Sequence, residues 1–316
     1  MKVLVTGSSG FVGRRVTQMA HAQGWDVLTH GRTANHVSQS SIVCALGADT
    51  DWSPVLDSVD CVVHCAARVH QMHESPEEAQ HAYHDANVLG TLNLARQAAK
   101  AGVKRLVFVS SIKVNGEWTK AGHPFLPTLE TTPEDPYGIS KYQAEVGLWQ
   151  LADETGLEVV VIRPPLVYGP GVKANFLSMM NWIHRAIPLP FGAISAKRSL
   201  VYLDNLVDLM ITCCTHQAAV GNTFLVSDDH DISISRLLRF LAKVMNVPSR
   251  LIPIPPRFLL WGLSLLGKRA VGQRLCYPLQ LDIRATKEKL GWAPPVSLED
   301  GLKQTVLAYQ QQKEQQ

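Results

Sequence analysis

Two side chains that can move a proton lie four residues apart near the middle of the chain. Tyr137 and Lys141 belong to the segment Tyr-Gly-Ile-Ser-Lys, and in a helix this spacing puts them on one face, one turn apart. A lysine ammonium stabilises a tyrosinate, so a phenol that ordinarily ionises near pH ~10 can exchange a proton at neutral pH. Such proton transfer accompanies hydride transfer to or from an alcohol. The same spacing occurs by chance in many helices, so its interpretation depends on the rest of the chain.

The chain opens with three glycines at the spacing of a dinucleotide-binding loop. Residues 2–6 are predicted to form a short buried strand, and helical periodicity covers residues 11–23. The first glycine permits a sharp turn, the second lets backbone N–H groups approach a pyrophosphate, and the third lets the helix pack closely on the strand. We expect a dinucleotide cofactor to contact the loop residues Gly7, Gly10, Phe11, Val12 and Gly13.

The end of the second predicted strand lacks the acidic residue that an NAD-preferring site places on the ribose 2′-hydroxyl. No Asp or Glu occurs between Asp26 and Asp49, and Arg32 follows the strand. A guanidinium at this position can meet a 2′-phosphate, which favours NADP or a relaxed choice between NADP and NAD. The alternative is that Arg32 is a solvated loop charge.

Composition restricts the class of protein. With 316 residues, 46% of them hydrophobic, the chain can bury a large core. A net charge of +3 with scattered basic residues does not suggest a nucleic-acid partner. The six cysteines show no C-x-x-C spacing and the twelve histidines no ligand framework, so we predict reduced thiols and no metal site. A strand at the first residues and reduced thiols predict a cytoplasmic protein.

The most apolar run of the chain covers residues 258–266 and is too short to be a transmembrane segment. The basic residues that flank it are Arg257, Lys268, Arg269 and Arg274. Two structures fit this pattern, a helix lying in a membrane interface and a helix packed in a second domain. We expect the packed helix.

Strands and helices alternate through the first half of the chain, which predicts an α/β fold with a doubly wound parallel sheet of Rossmann type. The later predicted strands cover 42–45, 60–66, 105–110 and 158–163, and the longer predicted helices cover 76–101 and 137–155. Beyond residue 165, stretches rich in Pro and Gly separate shorter elements. We predict a dinucleotide-binding domain over 1–168, to which 198–228 returns, and a smaller, mainly helical substrate-binding cap made of 169–197 and 229–316.

Two further side chains extend the candidate catalytic set. Ser111 follows the strand at 105–110, at the edge where ligands bind in open α/β sheets, and its hydroxyl can donate to a substrate oxygen while Tyr137 handles the proton. Asn87 in the long predicted helix can polarise a relay water or hold the region of Lys141. A turn serine and an amide on a helix face are the alternatives for Ser111 and Asn87.

Together these motifs resemble the extended short-chain dehydrogenase/reductase family, in its nucleotide-sugar epimerase branch. The resemblance covers nearly the whole chain and is highly specific for the family, less so for the substrate. It is carried by T-G-x-x-G-x-x-G at 6–13, H-C-A-A at 64–67, N-V-x-G-T at 87–91, Ser110-Ser111, Y-x-x-x-K at 137–141, R-P at 163–164, V-Y-G-P-G at 167–171 and R-S-L-V at 198–201.

The resemblance implies a role for each of several residues. Ser111, Tyr137 and Lys141 would form a catalytic triad. The implied cofactor contacts are Asp49 or Asp51 near the adenine, Ala66 and Ala67 along the dinucleotide, and Pro164 and Leu166 beside the nicotinamide. The implied contacts to the substrate diphosphate are Asn175 and Arg198, since a planar guanidinium suits phosphate. The resemblance also implies a homodimer formed through the helices that contain Asn87 and Tyr137.

One departure from the family pattern narrows the chemistry. Sugar 4,6-dehydratases carry an Asp-Glu pair directly after the serine, for proton transfer at C5 and C6. Here Ile112 and Lys113 occupy those positions, which argues against elimination of water. Lys113 either faces the sugar or a phosphate, or is a solvated lysine.

Three functions fit these observations. One is a C4 epimerase of a UDP-hexose or UDP-N-acetylhexosamine, which keeps its cofactor through the cycle. Another is a 4-ketoreductase of a UDP-4-keto-6-deoxy-N-acetylhexosamine for bacterial surface polysaccharide, which exchanges NAD(P)H. The third is a non-catalytic NADP-sensing regulator, against which the tyrosine-lysine pair counts. Arg32, and the similarity of residues 110–116 to reductases that form UDP-N-acetylquinovosamine, favour the ketoreductase, which is our prediction.

Overall fold

A sheet of seven parallel strands lies at the centre of the structure, a computed structural model that describes residues 1–31, 41–69 and 76–314. The strands of these residues are β1 (Lys2–Thr6), β2 (Asp26–Gly31), β3 (Ser41–Val43), β4 (Cys61–His64), β5 (Arg105–Val109), β6 (Glu158–Arg163), β7 (Leu166–Tyr168), β8 (Lys197–Arg198), β9 (Leu200–Tyr202), β10 (Asn222–Leu225) and β11 (Ile232–Ser233). The central sheet has the order β10-β6-β5-β4-β1-β2-β3, and all of its pairings are parallel. The predicted fold class is confirmed.

Helices cover both faces of this sheet and form much of the C-terminal part. They are α1 (Phe11–Ala22), α2 (Ser53–Leu56), α3 (Pro76–Tyr83), α4 (Gly90–Lys100), α5 (Pro136–Thr155), α6 (Ala174–His184), α7 (Leu203–Thr215), α8 (Ile234–Val244), α9 (Pro256–Leu265), α10 (Arg269–Cys276), α11 (Arg284–Leu290) and α12 (Leu298–Glu314). No helix in the described ranges combines the length and the apolar character that crossing a bilayer requires.

Two hydrophobic cores, one on each face of the central sheet, follow from the alternation of side chains along the strands. Val3 and Val5 pack into a core with α1 and α7, whereas Leu4 points into a second core with α4 and α5. Central strands of a parallel sheet are covered on both faces, which explains why they are apolar at nearly every position. A third core joins α6, α8 and α12 beside the sheet.

The predicted long helix at 76–101 is divided by a π-helical segment. α3 ends at Tyr83, the segment His84–Leu89 forms wider turns, and α4 begins at Gly90. A π-helical turn takes up an extra residue and so changes which side chains face inward. Asn87 lies in this segment and is buried.

Only part of the segment 198–228 joins the central sheet. β10 pairs with β6 at its edge, whereas β9 pairs with β7 in a separate two-stranded sheet. The buried carboxylate of Asp228 connects these parts: it accepts hydrogen bonds from the Tyr168 hydroxyl at 2.7 Å, the Tyr202 N–H at 2.7 Å and the Asn205 amide at 2.8 Å. The division into two domains stays a prediction.

The apolar run at 258–266 forms α9, which is less buried than we expected. α9 contacts α10, but Leu259 is its only buried residue. The expectation of a helix packed in the second domain therefore holds for one side of α9 only.

A buried ion pair joins α5 to the carboxyl ends of β5 and β6. Arg163 donates to the two carboxylate oxygens of Glu145 at 3.0 and 2.5 Å, and the side chains are 4% and 2% exposed. Glu145 also accepts a hydrogen bond from the Ser110 hydroxyl, and Arg163 donates to the Asn115 side-chain oxygen at 3.0 Å. Charges buried this deeply are tolerated only when they are paired and hydrogen-bonded.

Replacing Arg163 with methionine should therefore destabilise the fold strongly. The change leaves the Glu145 carboxylate buried without its cation, and we expect the free energy of unfolding to fall by about 3 to 5 kcal/mol in denaturant titrations. The control is Lys287→Met, which breaks the ion pair to Asp229 whose side chains are 39% and 47% exposed and should cost at most about 1 kcal/mol. Equal losses in the two variants would contradict this account.

Candidate active site

Four neighbouring strands of the sheet end at one edge, and the predicted site residues follow them. These residues are the glycine loop after β1, Ala66 and Ala67 after β4, Ser110 and Ser111 after β5, and Pro164 after β6. The Ile112 N–H donates to the Pro164 carbonyl oxygen at 3.0 Å, which joins two of these segments. In open α/β sheets, this edge is where ligands bind.

The glycine loop has the backbone geometry that a pyrophosphate requires. Gly7 has a φ of +67°, and a Cβ added to it would lie 2.8 Å from the backbone of Ala66. A Cβ on Gly13 would lie 2.3 Å from the Gly7 carbonyl oxygen. The Gly10 N–H donates to that same oxygen at 2.9 Å, and α1 begins at the next residue with its free N–H groups. The loop therefore fits a dinucleotide.

A buried histidine holds the β1 and β4 ends together. His64 Nδ1 lies 2.6 Å from the Thr6 hydroxyl oxygen, and Nε2 lies 2.9 Å from that of Thr91. The Ala66 N–H donates to the Thr6 hydroxyl at 3.2 Å. Burial holds the pKa of His64 well below its usual value, so the ring is neutral and acts structurally. Within the described ranges, no group of three or more His, Cys, Asp or Glu residues is arranged to hold a metal.

Five residues predicted to contact the cofactor are not held by the structure in a position that tests this prediction. Asp49 is exposed in the loop after β3, and Leu166 is 45% exposed at the start of β7. Phe11 and Val12 are half-buried in the first turn of α1. Arg32 lies outside the described residues. The contacts of these five residues with a cofactor stay predictions.

Tyr137 lies in the first turn of α5, which is anchored at its N-terminus. The Asp135 carboxylate caps the helix by accepting from the Gly138 N–H at 2.9 Å. A Cβ on Gly138 would lie 2.7 Å from the Lys113 carbonyl oxygen, so the absence of a side chain brings the helix close to the segment after β5. Burial, followed by the charge of Asp135 and the phenol of Tyr83, raises the pKa of Tyr137. The lowering of the Tyr137 pKa that we expected from Lys141 is not found.

Lys141 lies beneath the end of β5, one turn further along α5. Its ammonium donates to the Val109 carbonyl oxygen at 2.8 Å and lies 4.4 Å from the centre of the Phe108 ring. Burial lowers the pKa of Lys141 to about 8, while Cys65 and Glu145 act in the opposite direction. The side chain is therefore mostly charged at neutral pH yet loses its proton within the range where enzymes work.

Ser111 and Lys113 lie on the short turn that follows β5. The Ser111 hydroxyl oxygen accepts from the Lys113 N–H at 3.2 Å, which leaves the hydroxyl hydrogen free to donate elsewhere. The Lys113 ammonium lies 3.0 Å from Asp135, 3.6 Å from Glu117 and 5.9 Å from the centre of the Tyr137 ring. Two carboxylates thus hold the Lys113 ammonium near the Tyr137 ring, and its contact with the sugar or a phosphate stays a prediction.

Asn87 holds the start of α5 in place. Its side-chain oxygen accepts from the Arg68 N–H at 2.7 Å, and its amide nitrogen donates to the Arg68 carbonyl at 3.1 Å and to the Ser140 hydroxyl at 3.0 Å. Ser140 in turn donates to the Tyr137 carbonyl oxygen at 2.8 Å. These bonds use both amide hydrogens of Asn87. The structure therefore favours a role of Asn87 in positioning the region of Lys141 over a role in polarising a relay water.

Arg198 is joined to this group of charges through Arg274 of α10. It donates to the carbonyl oxygens of Arg274 and Tyr277 at 2.8 and 3.0 Å, and the Arg274 guanidinium donates to Glu117 at 2.7 Å. Burial and the nearby Arg274 lower the pKa of Arg198 to about 10, so it stays cationic at neutral pH. Asn175 is exposed in the first turn of α6.

The sequence analysis did not identify Glu145, nor that the Asn115 side-chain oxygen accepts a hydrogen bond from Arg163. Glu145 follows Lys141 at a further spacing of four, so it continues the face that begins at Tyr137. A carboxylate on the buried face of a helix is unusual enough to have indicated a buried partner. The partner, Arg163, was noticed only as part of a family motif, since 18 residues separate the two.

A dinucleotide loop beside a tyrosine-lysine pair on a Rossmann sheet defines an enzyme of the short-chain dehydrogenase/reductase type. The chain belongs to the NAD dependent epimerase/dehydratase family, whose model matches residues 3–227. It is 45% identical over 315 residues to a UDP-glucose 4-epimerase of Vibrio cholerae, covering 98% of this chain and 95% of that protein.

Solved structures of similar proteins have the same overall fold. A UDP-glucose 4-epimerase from Thermotoga maritima, solved with UDP-glucose, is 25% identical with a TM-score of 0.76 and covers 99% of this chain and 100% of its own. A UDP-glucuronic acid 4-epimerase from Bacillus cereus, solved with NAD, is 20% identical with a TM-score of 0.81 and covers 100% of this chain and 99% of its own. The predicted membership of the short-chain dehydrogenase/reductase family and the predicted enzyme class are confirmed. The cofactor of the family is NAD.

Replacing Gly7 with alanine should weaken cofactor binding. The new methyl group would push against the backbone of Ala66, and we expect the Kd for NAD, measured by titration calorimetry, to rise by about tenfold or more, equivalent to at least ~1.4 kcal/mol. The control is Gly24→Ala, because Gly24 also has a positive φ, +74°, but no atom lies within 4 Å of its added Cβ. A matching loss of NAD binding in both variants would attribute the effect to backbone strain instead.

The burial of Lys141 should appear in the pH dependence of stability. The folded state releases the Lys141 proton near pH 8 and the unfolded state near 10.5, so the unfolded state binds more protons in between and stability rises with pH there. We expect the stability of the wild type relative to Lys141→Met to increase by about 2 to 3 kcal/mol from pH 7.5 to 10.5. Denaturant titrations at both pH values check this, and parallel pH responses would contradict it.

Proposed function

We propose that this chain catalyses the NAD-dependent epimerisation of a UDP-hexose at C4, and that it interconverts UDP-glucose and UDP-galactose. The observation that carries the proposal is the position of Ser111, Tyr137 and Lys141 at the sheet edge beside the glycine loop. The end-to-end similarity to a UDP-glucose 4-epimerase supports this substrate. An epimerase needs one site that both removes and returns the same proton and hydride.

The proton of the C4 hydroxyl is assigned to Tyr137. The phenolate oxygen removes this proton as the C4–H bond breaks, and the phenol returns it after the sugar has turned its other face to the cofactor. The Ser111 hydroxyl donates to the same sugar oxygen and limits the charge that develops on it. NAD, when bound, would supply the acceptor and donor of the hydride, and the positive charge of its oxidised nicotinamide would lower the pKa of a nearby phenol.

The Lys141 ammonium supports the phenolate form of Tyr137 in this proposal. It is held in place by the Val109 carbonyl and the Phe108 ring, so little reorganisation is needed when charge appears on the phenol. Its pKa of about 8 lies close to working pH, which suits a group that takes part in proton exchange.

The diphosphate of the substrate is assigned to the cationic side of the cleft. Arg198 lies in β8, which pairs with β11, and is linked through Arg274 and Glu117 to Lys113 on the nucleotide-binding side. Arg198 and Lys113 would hold the two phosphates, and Asn175 would donate from α6. Guanidinium and ammonium groups recognise phosphate through charge-assisted hydrogen bonds.

The 4-ketoreductase that we predicted from the sequence is not confirmed by the comparisons. Its main support was Arg32, which lies outside the described residues, whereas a relative that is 45% identical over 98% of this chain is an epimerase. The two functions differ in whether the cofactor stays bound. We therefore rank the reductase second.

A homodimer is part of the proposal. The π-helical segment, α4 and α5 pack together and present the partly exposed Leu89 and Val146. Pairing these helices with those of a second copy would cover both side chains in a four-helix interface.

Replacing Tyr137 with phenylalanine should abolish turnover without loss of cofactor. The change removes only the hydroxyl, and we expect the rate of UDP-galactose to UDP-glucose conversion to fall by about 10²- to 10⁴-fold. Tyr142→Phe, one turn away on the same helix, is the matched control and should stay near wild-type activity. Chromatographic separation of the two sugars gives the rate, and mass spectrometry of released NAD gives the occupancy.

The same assays decide between the two enzymes. Wild-type protein that carries stoichiometric NAD and interconverts the two UDP-hexoses supports the epimerase. Wild-type protein that leaves both sugars unchanged but consumes NADPH with a UDP-4-keto-6-deoxy-N-acetylhexosamine would replace it with the ketoreductase.

A further inference from the structure

The helices α9 and α10 expose an unusual amount of apolar surface. Within the described residues, six large apolar side chains that are at least 45% exposed fall between positions 252 and 271. Five of them form what we call the α9–α10 surface: Phe258, Trp261, Leu265, Leu266 and Val271, with exposures of 53%, 67%, 69%, 72% and 45%. Contiguous apolar patches on a protein surface generally mark a place where something binds.

The geometry of α9 gathers these side chains on one face. Phe258, Trp261 and Leu265 are spaced by three and four residues, which is the spacing of a single helical stripe. On the other side, Leu259 is buried in a small core with Ile194 and Cys276. α9 is thus fixed to the protein along one side and presents the opposite side outward over ~15 Å.

The stretch of chain that contains α9 and α10 carries charge of one sign. Between residues 232 and 281 the chain contains eight Arg or Lys residues and no Asp or Glu, whereas the rest of the chain has 22 basic and 27 acidic residues. Arg257, Lys268 and Arg269, all exposed, lie at the two ends of the apolar run. Basic residues therefore flank the apolar run at both ends, on a chain whose remaining residues are slightly acidic.

We propose that the α9–α10 surface docks on an anionic lipid bilayer. An amphipathic helix with aromatic and aliphatic residues on one face and a basic rim lies in the interface of a membrane, where the apolar face enters the headgroup boundary and the cations meet acidic lipids. Tryptophan is favoured at that depth because one part of the indole is apolar and another is polar.

The charge argues against a second copy of the chain as the occupant. A two-fold interface brings the same patch of each copy together, so the cations of one α9–α10 surface would face those of the other. A lipid surface supplies the opposite charge along the whole face, which fits the absence of acidic residues from 232 to 281.

Docking in this way would bring the candidate active site close to the lipid headgroups. α10 begins with the exposed Arg269 and, one turn and a half later, reaches Arg274, whose guanidinium holds Glu117 beside Lys113. The eight residues of α10 span ~12 Å. The cationic edge of the cleft is thus an extension of the same surface.

Flotation of the full chain with lipid vesicles tests the proposal. We expect binding to vesicles of phosphatidylcholine with 30% phosphatidylglycerol and much weaker binding to phosphatidylcholine alone. The variant Phe258→Ser/Trp261→Ser/Leu265→Ser should lower the partition coefficient by at least about tenfold because it removes the inserted face. Lys268→Gln/Arg269→Gln should lower it by about tenfold at 0.1 M salt.

The control is Leu307→Ser, which removes an apolar side chain that is 55% exposed on α12 and should bind vesicles like the wild type. Circular dichroism melting of each variant confirms that it folds. Failure of the wild type to float with the acidic vesicles, or equal loss of binding in the control, would overturn the proposal. Loss of a dimer in the triple variant by light scattering, without vesicle binding by the wild type, would instead assign the surface to a second copy.

The test is independent of the proposed reaction. The surface variants should interconvert soluble UDP-glucose and UDP-galactose at the wild-type rate, since none of the replaced residues belongs to the candidate active site. Absence of sugar conversion with intact vesicle binding would reject the epimerase alone, and absence of vesicle binding with intact conversion would reject the docking surface alone.

Discussion

The buried ion pair between Glu145 and Arg163 is the constraint on which the candidate active site depends. Tyr137 and Lys141 are carried by α5, whereas Ser111 follows β5, so their relative position is set by how α5 lies on the sheet. Arg163 at the end of β6 and Ser110 at the end of β5 both bind the same carboxylate on α5. One anion therefore aligns the proton-handling side chains with the strand ends, and its desolvation is tolerated because both of its oxygens are paired.

The sheet and the glycine loop could be predicted from the sequence, because both depend on short-range patterns. β1, β5 and β6 are compact apolar runs bounded by turns, and the glycine spacing of the loop has a direct backbone reason. The π-helical segment around Asn87 could not be predicted, because a helical pattern over 76–101 does not show where the helix takes up an extra residue. The link from Arg198 through Arg274 to Glu117 could not be predicted either, because it joins residues as far as 157 positions apart.

The electrostatics of Tyr137 show why a motif alone gives an incomplete account of a site. A lysine one turn away predicts an acidic phenol, yet burial and the neighbouring Asp135 raise the pKa of Tyr137, and burial lowers that of Lys141. Spacing in the sequence gives the distance between two groups along a helix but not their exposure to water or the carboxylates that other segments bring. Asp135 has a double role here, because the charge that opposes the phenolate also caps the helix that carries it.

The Asp228 carboxylate has a consequence for how this molecule comes apart. Its three donors come from β7, from the junction of β9 and α7, and from within α7, and the Tyr168 hydroxyl also reaches the Leu298 carbonyl oxygen at 3.2 Å. The Asn205 side chain is bonded in turn to the carbonyl oxygen and the N–H of Val296, at 2.8 Å each, so the expected cap is joined to the partners of Asp228 rather than to the anion itself. Separating the cap would break these hydrogen bonds of the buried Tyr168 and Asn205 side chains, so the two parts should melt in a single cooperative transition.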